Sequence, residues 1–256
     1  MAIVSIMTAP TLVTGVAGFI GMHVAERLLD MGRPVVGVDS FNAYYDTRLK
    51  QARAARLENR AGFELVRGDI AEPGAVTELV RERGVKRIVH LAAQAGVRYS
   101  LENPFAYERS NLAGHLAILE AARHNPIEHL VYASSSSVYG ARPLNKTGFR
   151  EDDPVDAPVS LYAATKRSCE LLSESYAHLY AIPQSGLRIF TVYGPWGRPD
   201  MAYFKFTDKI ARGEPIEVYG RGEMARDFTY IDDIVDGVAG LLDTTPRASS
   251  HQVYNI

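Results

Sequence analysis

From Thr11 onward, short apolar runs alternate with longer amphipathic stretches. Thr11–Thr14, Val35–Val38, Phe63–Val66 and Arg87–Leu91 are apolar with little alternation, the pattern of strands covered on both faces. Between them the spacing predicts three helices. One spans about 18–31, where Ile20, Val24 and Leu28 recur every four residues; one spans about 47–60, rich in Arg and Ala; one spans about 73–84, opened by Pro73. Two more units follow, a helix near 104–124 leading to a strand at 129–133 and a helix near 161–181 leading to a strand at 185–190. This rhythm predicts an α/β fold, a Rossmann-type doubly wound parallel sheet.

After Phe190 the rhythm degrades. Gly- and Pro-rich loops at 194–199 and 220–222 surround a helix near 202–212, a short strand near 216–218, a helix near 231–242 and a last strand at 253–256. The expected division is a main domain over 1–190 and a smaller C-terminal substrate-binding lobe over 191–256, the two interleaved. The sequence stops inside an apolar strand at Ile256, so the lobe is expected to be incomplete.

Composition adds exclusions. A 256-residue chain with 46% hydrophobic and 23% charged residues can build a sizeable core. A net charge of −2 gives no bulk electrostatic reason for a nucleic acid or an anionic membrane as partner. The lone cysteine, Cys169, reads as a buried hydrophobe rather than a nucleophile, and the lack of a disulfide framework suits the cytoplasm. The apolar start, Met1–Pro10, lacks a basic segment and is too short to span a bilayer, so neither signal peptide nor anchor is expected. No metal site is expected.

The candidate chemistry lies at strand ends. Gly15-Val-Ala-Gly18-Phe19-Ile20-Gly21 follows the first strand and opens the first long helix, where main-chain amides and the helix N-terminus can meet a pyrophosphate. Asp39 ends the second strand at the spacing expected for a group on the adenosine ribose, although an N-cap or turn role is also open. Its charge would repel a 2′-phosphate, which favours NAD over NADP. Asn42 is expected beside it. Asp69-Ile70 suits the adenine edge, with an ordinary turn as the other reading; Ala92-Ala93-Gln94, after the fourth strand, keeps side chains small where the backbone passes close to a ligand, and Leu91, Ala92 and Ala93 are expected at the cofactor. A serine run, Ser134–Ser137, follows the fifth strand and can bond a substrate oxygen or simply form a turn. Tyr162 and Lys166 stand four apart on a predicted helix, where the ammonium favours a phenolate; a packed Tyr beside a snorkelling Lys is the plainer alternative.

In this order the Gly-x-x-Gly-x-x-Gly turn, Asp39, the serine run ending in Val138-Tyr139-Gly140, and Tyr162-x-x-x-Lys166 resemble the extended short-chain dehydrogenase/reductase superfamily over nearly the whole chain. The resemblance implies that Tyr162 is the acid/base, that Lys166 holds the nicotinamide ribose, and that Ser135 completes a triad. Phe190–Ala202 and Arg226–Asp233 are similar to UDP-glucuronate 4-epimerases. Related dehydratases and decarboxylases carry a Glu where Ser137 stands, so the resemblance implies reversible oxidation at C4 of a UDP-sugar. It further implies substrate contacts from Ser135, Ser136, Ser137, Tyr162, Thr191, Arg198 and Arg226, and a homodimer through the helices near 104–124 and 161–181. Arg198 has pairing with Asp200 as its alternative, and Arg226 has a salt bridge to Asp227, Asp232 or Asp233. Rival activities are a UDP-glucose/UDP-galactose 4-epimerase, a UDP-glucuronate decarboxylase and, more remotely, an NAD-sensing protein without turnover.

Overall fold

The computed structural model describes residues 9–141, 148–223, 225–244, 246 and 249–256. The leader reading rests largely on residues 1–8 and lies outside the described residues. The first half runs β1 (Thr11–Thr14), α1 (Phe19–Asp30), β2 (Val35–Asp39), α2 (Thr47–Glu58), β3 (Phe63–Arg67), α3 (Ala75–Arg83) and β4 (Arg87–His90). The second runs α4 (Tyr99–Glu102), α5 (Pro104–Tyr107), α6 (Gly114–His124), β5 (His129–Ala133), α7 (Leu161–Tyr180) and β6 (Gln184–Arg188). β7 (Thr191–Tyr193), α8 (Ala202–Ala211), β8 (Phe228–Tyr230), α9 (Ile231–Asp243) and β9 (His251–Asn255) complete the chain.

Seven strands form one parallel sheet in the order β3-β2-β1-β4-β5-β6-β9. Successive strand residues point to opposite faces, and both faces are covered. Leu12, Ile88 and Leu130 enter one layer with Val76 and Val80 of α3 and Ile118 and Leu119 of α6. Val13, Val89 and Val131 enter the other with Met22 and Leu28 of α1 and Ile234 and Val238 of α9. The order reverses direction at β1 and β4, where open α/β sheets leave a crevice outside the strands' carboxyl ends.

The chain rejoins this sheet at its end. β9 pairs with β6, and α9 packs beside α1, with Arg27–Asp236 and Arg33–Asp243 ion pairs at the rim. Exposed pairs of this kind contribute little, so the apolar contact holds α9. A division at residue 190 therefore does not separate the sheet from the rest of the chain, since α9 and β9 belong to the same layers. Residues 191–230 stand outside the sheet, anchored by the two-stranded parallel pair of β7 and β8, in which Val192 lies opposite Thr229.

Three local expectations are corrected. The helix expected near 104–124 is broken by a π-helical segment, Glu108–Ala113, which carries the buried Asn111. The helix opened by Pro73 starts instead at Ala75, because Gly74 before it is left-handed at φ 81°. Residues 216–218 form no strand; Ile216 and Val218 are exposed and no strand pairs with them among the described residues. The short strands β7 and β8 have no counterpart in the sequence pattern.

Three buried histidines make the fold acid-sensitive. Burial holds His90 well below the ordinary imidazole range, aided by His115 and Lys166; it lowers His115 to about 3, and His129 to about 4. In the unfolded chain each titrates near about 6.5, so below that pH the unfolded state binds protons that the folded state refuses. Their stabilising contribution is complete above about pH 6.5 and falls as pH drops toward the folded values, by up to about 1.4 kcal/mol per pH unit for each group. Denaturant midpoints are expected to decline from about pH 7 to about pH 5, and His115→Asn is expected to decline less steeply; parallel curves would remove His115 from the account.

Candidate active site

The site begins where β1 meets β4. Gly15 is left-handed at φ +71°, and a Cβ there would stand 2.8 Å from the Ala92 main-chain nitrogen. Only glycine allows that approach. The Gly18 N–H donates to the Gly15 carbonyl at 2.9 Å, closing the turn, and a Cβ on Gly21 would lie 2.1 Å from the same oxygen. α1 starts after Gly18 without a side-chain cap or an acid in its first turn, which leaves first-turn N–H groups for a ligand anion.

One continuous cleft of about 260 Å³ runs from this turn across the strand ends to α7. At the first end it is lined by Gly15, Gly18, Phe19, Ile20, Gly21, Asp39, Asn42, Asp69, Ile70, Leu91, Ala92 and Ala93. Asp39 accepts from the Ala17 N–H at 3.0 Å and the Phe41 N–H at 2.8 Å, so its carboxylate ties the glycine turn to the loop after β2. Asp69 accepts from the Ala71 N–H at 2.9 Å and pairs with Arg109 at 2.8 Å. Part of each carboxylate is therefore already committed to the protein.

At the other end stand Ser135, Tyr162, Lys166 and Arg198. Ser160 caps α7 by accepting from the Ala163 N–H at 3.1 Å, which fixes where the helix begins and presents Tyr162 in its first turn. Lys166, one turn on, is 4% exposed and donates to the Ala133 carbonyl at 2.8 Å. The four serines separate by environment. Ser134 donates to buried Glu170 at 2.6 Å, and Glu170 is gripped by Arg188 at 2.9 and 3.0 Å. Ser135 accepts from the Ser137 hydroxyl at 2.9 Å and from its N–H at 3.2 Å, so its own proton is available to a ligand. Ser136 and Ser137 sit in a 3₁₀ turn and do not line the cleft, nor does Thr191 in β7. Arg226 is exposed just before β8, donates to the Ala225 carbonyl at 2.7 Å, and also stands outside the lining.

Arg198 makes a two-point pair with Asp200, Nε to Oδ1 at 3.0 Å and Nη2 to Oδ2 at 2.5 Å. Burial opposes the guanidinium charge, but Asp200 more than offsets it and holds Arg198 above its ordinary range. Burial likewise opposes the Asp200 charge, and Arg198 keeps that carboxylate below its ordinary range. Tyr44 donates to Asp200 at 3.1 Å, and burial with the Asp200 charge pushes Tyr44 up to about 12.

Several lining residues go beyond the sequence-based expectations. Lys50, Tyr44 and Tyr45 all face the cleft. Lys50 donates to the Asn42 side-chain oxygen at 2.6 Å and carbonyl at 2.9 Å, and burial lowers its ammonium below the ordinary range. Gln94 is held by Asn111, which receives its N–H at 2.8 Å and donates to the Thr165 hydroxyl at 3.0 Å. A faint signal exists: Lys50, Arg53 and Leu57 keep helical spacing and all face inward, yet the two charges read as solvent-facing. Among the described residues no group of three or more His, Cys, Asp or Glu could hold a metal ion, and no helix is long and apolar enough to cross a membrane.

A nicotinamide dinucleotide fits these groups. The uncapped helix start behind a turn that rejects any Cβ suits a pyrophosphate, Asp39 suits a ribose, and buried Lys166 stands at the far end of the same cleft.

The model of the NAD dependent epimerase/dehydratase family matches residues 11–256. A Rhizobium meliloti (strain 1021) protein named as a probable UDP-glucuronate 4-epimerase is 52% identical over 235 residues, covering 92% of this chain and 68% of that protein. UDP-glucuronate 4-epimerase 2 of Arabidopsis thaliana is 50% identical over 242 residues, covering 93% of this chain and 55% of that protein. A crystal structure of UDP-glucuronic acid 4-epimerase from Bacillus cereus, in complex with UDP-glucuronic acid and NAD, aligns with a TM-score of 0.88 at 36% identity, covering 96% of this chain and 77% of that one. With its glycine turn, its strand-end acid and its Tyr-Lys pair sharing one cleft, the chain belongs to the NAD dependent epimerase/dehydratase family.

Proposed function

We propose that this protein is an isomerase that converts UDP-glucuronate to UDP-galacturonate by NAD-dependent 4-epimerisation through a transient 4-keto sugar. The observation that carries the reading is the single cleft joining the glycine turn and Asp39 to Ser135, Tyr162, Lys166 and Arg198. The named relatives and the solved structure with both ligands support the same substrate.

NAD supplies a hydride acceptor, and then a hydride donor, at C4 of the sugar. Tyr162 takes the proton from the 4-hydroxyl and returns it once the flat keto sugar has presented its other face. Ser135 donates its hydroxyl hydrogen to the same substrate oxygen, because its acceptor positions are already engaged by Ser137. Lys166, fixed by the Ala133 carbonyl, would hold the cofactor's nicotinamide ribose. A 4-keto uronate is a β-keto acid and loses CO₂ when its carboxylate aligns with the ketone. Arg198, whose Nε and Nη2 are taken by Asp200, offers Nη1 to that carboxylate and holds it out of alignment, and the hydroxyls of Ser136, Ser137 and Thr191 are assigned to the same substrate. Arg226 is assigned to the diphosphate: Thr191 bonds the Asp227 carbonyl next to it at 3.2 Å, so β8 brings it toward this side. Residues 191–230 form the part of the substrate lobe outside the sheet.

The partner is a second copy of the chain. Leu116 of α6 is 40% exposed and Leu171 of α7 is 55% exposed, on either side of a shallow depression lined by Leu112, Ala113, Ser168 and Leu172. A two-helix apolar face of this kind suits isologous pairing. A nucleotide-sugar substrate and a dinucleotide cofactor fit a cytoplasmic location.

Product analysis tests the reaction: UDP-glucuronate with NAD is expected to give UDP-galacturonate without net NADH, whereas CO₂ and a pentose product would make the protein a decarboxylase. Tyr162→Phe is expected to cut turnover by a factor of ~10² or more while sparing NAD binding; a variant that epimerises at the normal rate would remove Tyr162 from the acid/base role. For the assembly, light scattering is expected to report twice the 28.2 kDa chain mass, and the double variant Leu116→Glu, Leu171→Glu is expected to report a monomer. A monomeric parent protein would sink the dimer.

A further inference from the structure

Arg53 of α2 is a fully buried cation, 0% exposed, and all five of its N–H donors are engaged. Nη1 reaches the Ala17 carbonyl at 3.3 Å and the Tyr45 hydroxyl at 2.6 Å. Nε reaches the Trp196 carbonyl at 3.1 Å, while Nη2 reaches the same carbonyl at 2.6 Å and that of Gly197 at 3.1 Å. None of these acceptors is a carboxylate. Burying a guanidinium costs several kcal/mol, which is recovered only when every donor is met in good geometry. The Ala17 contact lies in the glycine turn, and the other carbonyls lie in the loop immediately before Arg198. Trp196 is itself left-handed at φ 62°, a conformation that a bulky residue adopts only when its surroundings impose it.

We infer that Arg53 is a positioning residue that ties the glycine turn to the Trp196–Gly197 loop, so that NAD binding and UDP-sugar binding favour one another. The inference rests on the proposed reading of the cleft. The fork geometry matters as much as the charge: one planar group spans two chain segments, 36 and 143 residues away in sequence, in a way a single ammonium cannot. Ordering the turn around a pyrophosphate fixes the Ala17 carbonyl, which fixes the guanidinium plane and hence the loop that carries Arg198. Binding the sugar against Arg198 acts in reverse, since coupling free energies are reciprocal.

Trp196 is the only tryptophan in the chain, so its emission reports this loop directly. Equilibrium dialysis of the NAD-stripped protein gives NAD affinity with and without saturating UDP-glucuronate. In the unaltered protein the sugar is expected to tighten NAD by about fivefold or more, and NAD alone is expected to shift Trp196 emission. In Arg53→Lys, NAD affinity without sugar is expected to stay within about twofold, the coupling to fall below about twofold, and the Trp196 response to vanish. KM for UDP-glucuronate is expected to rise while kcat stays within a few-fold, a split that general destabilisation would not produce. Coupling retained in Arg53→Lys overturns the inference. So does coupling below about twofold in the unaltered protein, a result independent of whether the variant folds. If UDP-glucuronate does not bind the unaltered protein, the functional reading falls, and the Trp196 response to NAD alone decides the tie: no response overturns it.

Discussion

The structure depends first on the contact between the carboxyl ends of β1 and β4. Gly15 and Ala92 pass so closely that a methyl group at Gly15 would strike main chain, and the Thr14 hydroxyl accepts the Ala92 N–H at 3.2 Å. This contact sits where the strand order reverses, and it sets the floor of the cleft. It requires glycine at 15, small side chains at 92 and 93, and a helix start aimed along the cleft. Asp39, Asp69 and Ser135 are then the next residues met at neighbouring strand ends. Two apolar layers make this floor rigid, because every strand beneath it is covered on both faces.

A second theme is the use of buried polar groups as fasteners. α7 turns a polar stripe inward: Lys166 bonds the Ala133 carbonyl, Glu170 bonds Ser134 and Arg188, and Ser173 bonds His115 and receives the Gln184 amide on its carbonyl. These bonds run in four-residue and three-residue steps along the face that begins with Tyr162. The helix is held in azimuth as well as in depth, which an apolar face alone specifies loosely. Arg188 continues the chain of bonds to the Tyr139 hydroxyl at 2.9 Å, and Tyr139 donates to Asn255 of β9 at 2.7 Å. The last strand thereby helps to fix the serine turn, even though residue 255 is far from it in sequence.

The sheet is legible because its strands announce two-sided burial, and the glycine turn, Asp39 and the Tyr162–Lys166 pair are legible because backbone geometry fixes their spacing. The same reasoning falters where an element depends on distant partners. β7 and β8 are three residues each and exist only through each other. The π-helical segment exists to turn Asn111 inward to Gln94 and Thr165, a demand made by the tertiary structure. Lys50 and Arg53 sit on a helix whose sequence looks solvent-facing, and the cost of burying them is offset by the carbonyls of Asn42, Ala17, Trp196 and Gly197, the Asn42 side-chain oxygen and the Tyr45 hydroxyl. Neighbourhood in sequence also misleads at short range, since Ser134 and Ser135 line the cleft while Ser136 and Ser137 turn away from its lining.

The path of the chain explains why such fasteners are needed on the substrate side. It leaves the sheet after β6 and returns through α9 and β9, so residues 191–230 hang on two covalent crossings and a short strand pair. α8 has no buried residue and Phe228 is 53% exposed, so among the described residues Val192 alone carries this segment's packing into the core, in the layer of α1 and α9. What remains is polar: Arg53 on the Trp196 and Gly197 carbonyls, Tyr44 on Asp200, and the Tyr203 hydroxyl on the Val192 carbonyl at 3.1 Å. Two of these three reach back to α2 or the loop before it, the elements that flank Asp39. A loop fixed mainly from the cofactor's side takes its geometry from that side. The placement of Arg198 is accordingly a property of the glycine turn and of α2 as much as of the lobe in which it lies.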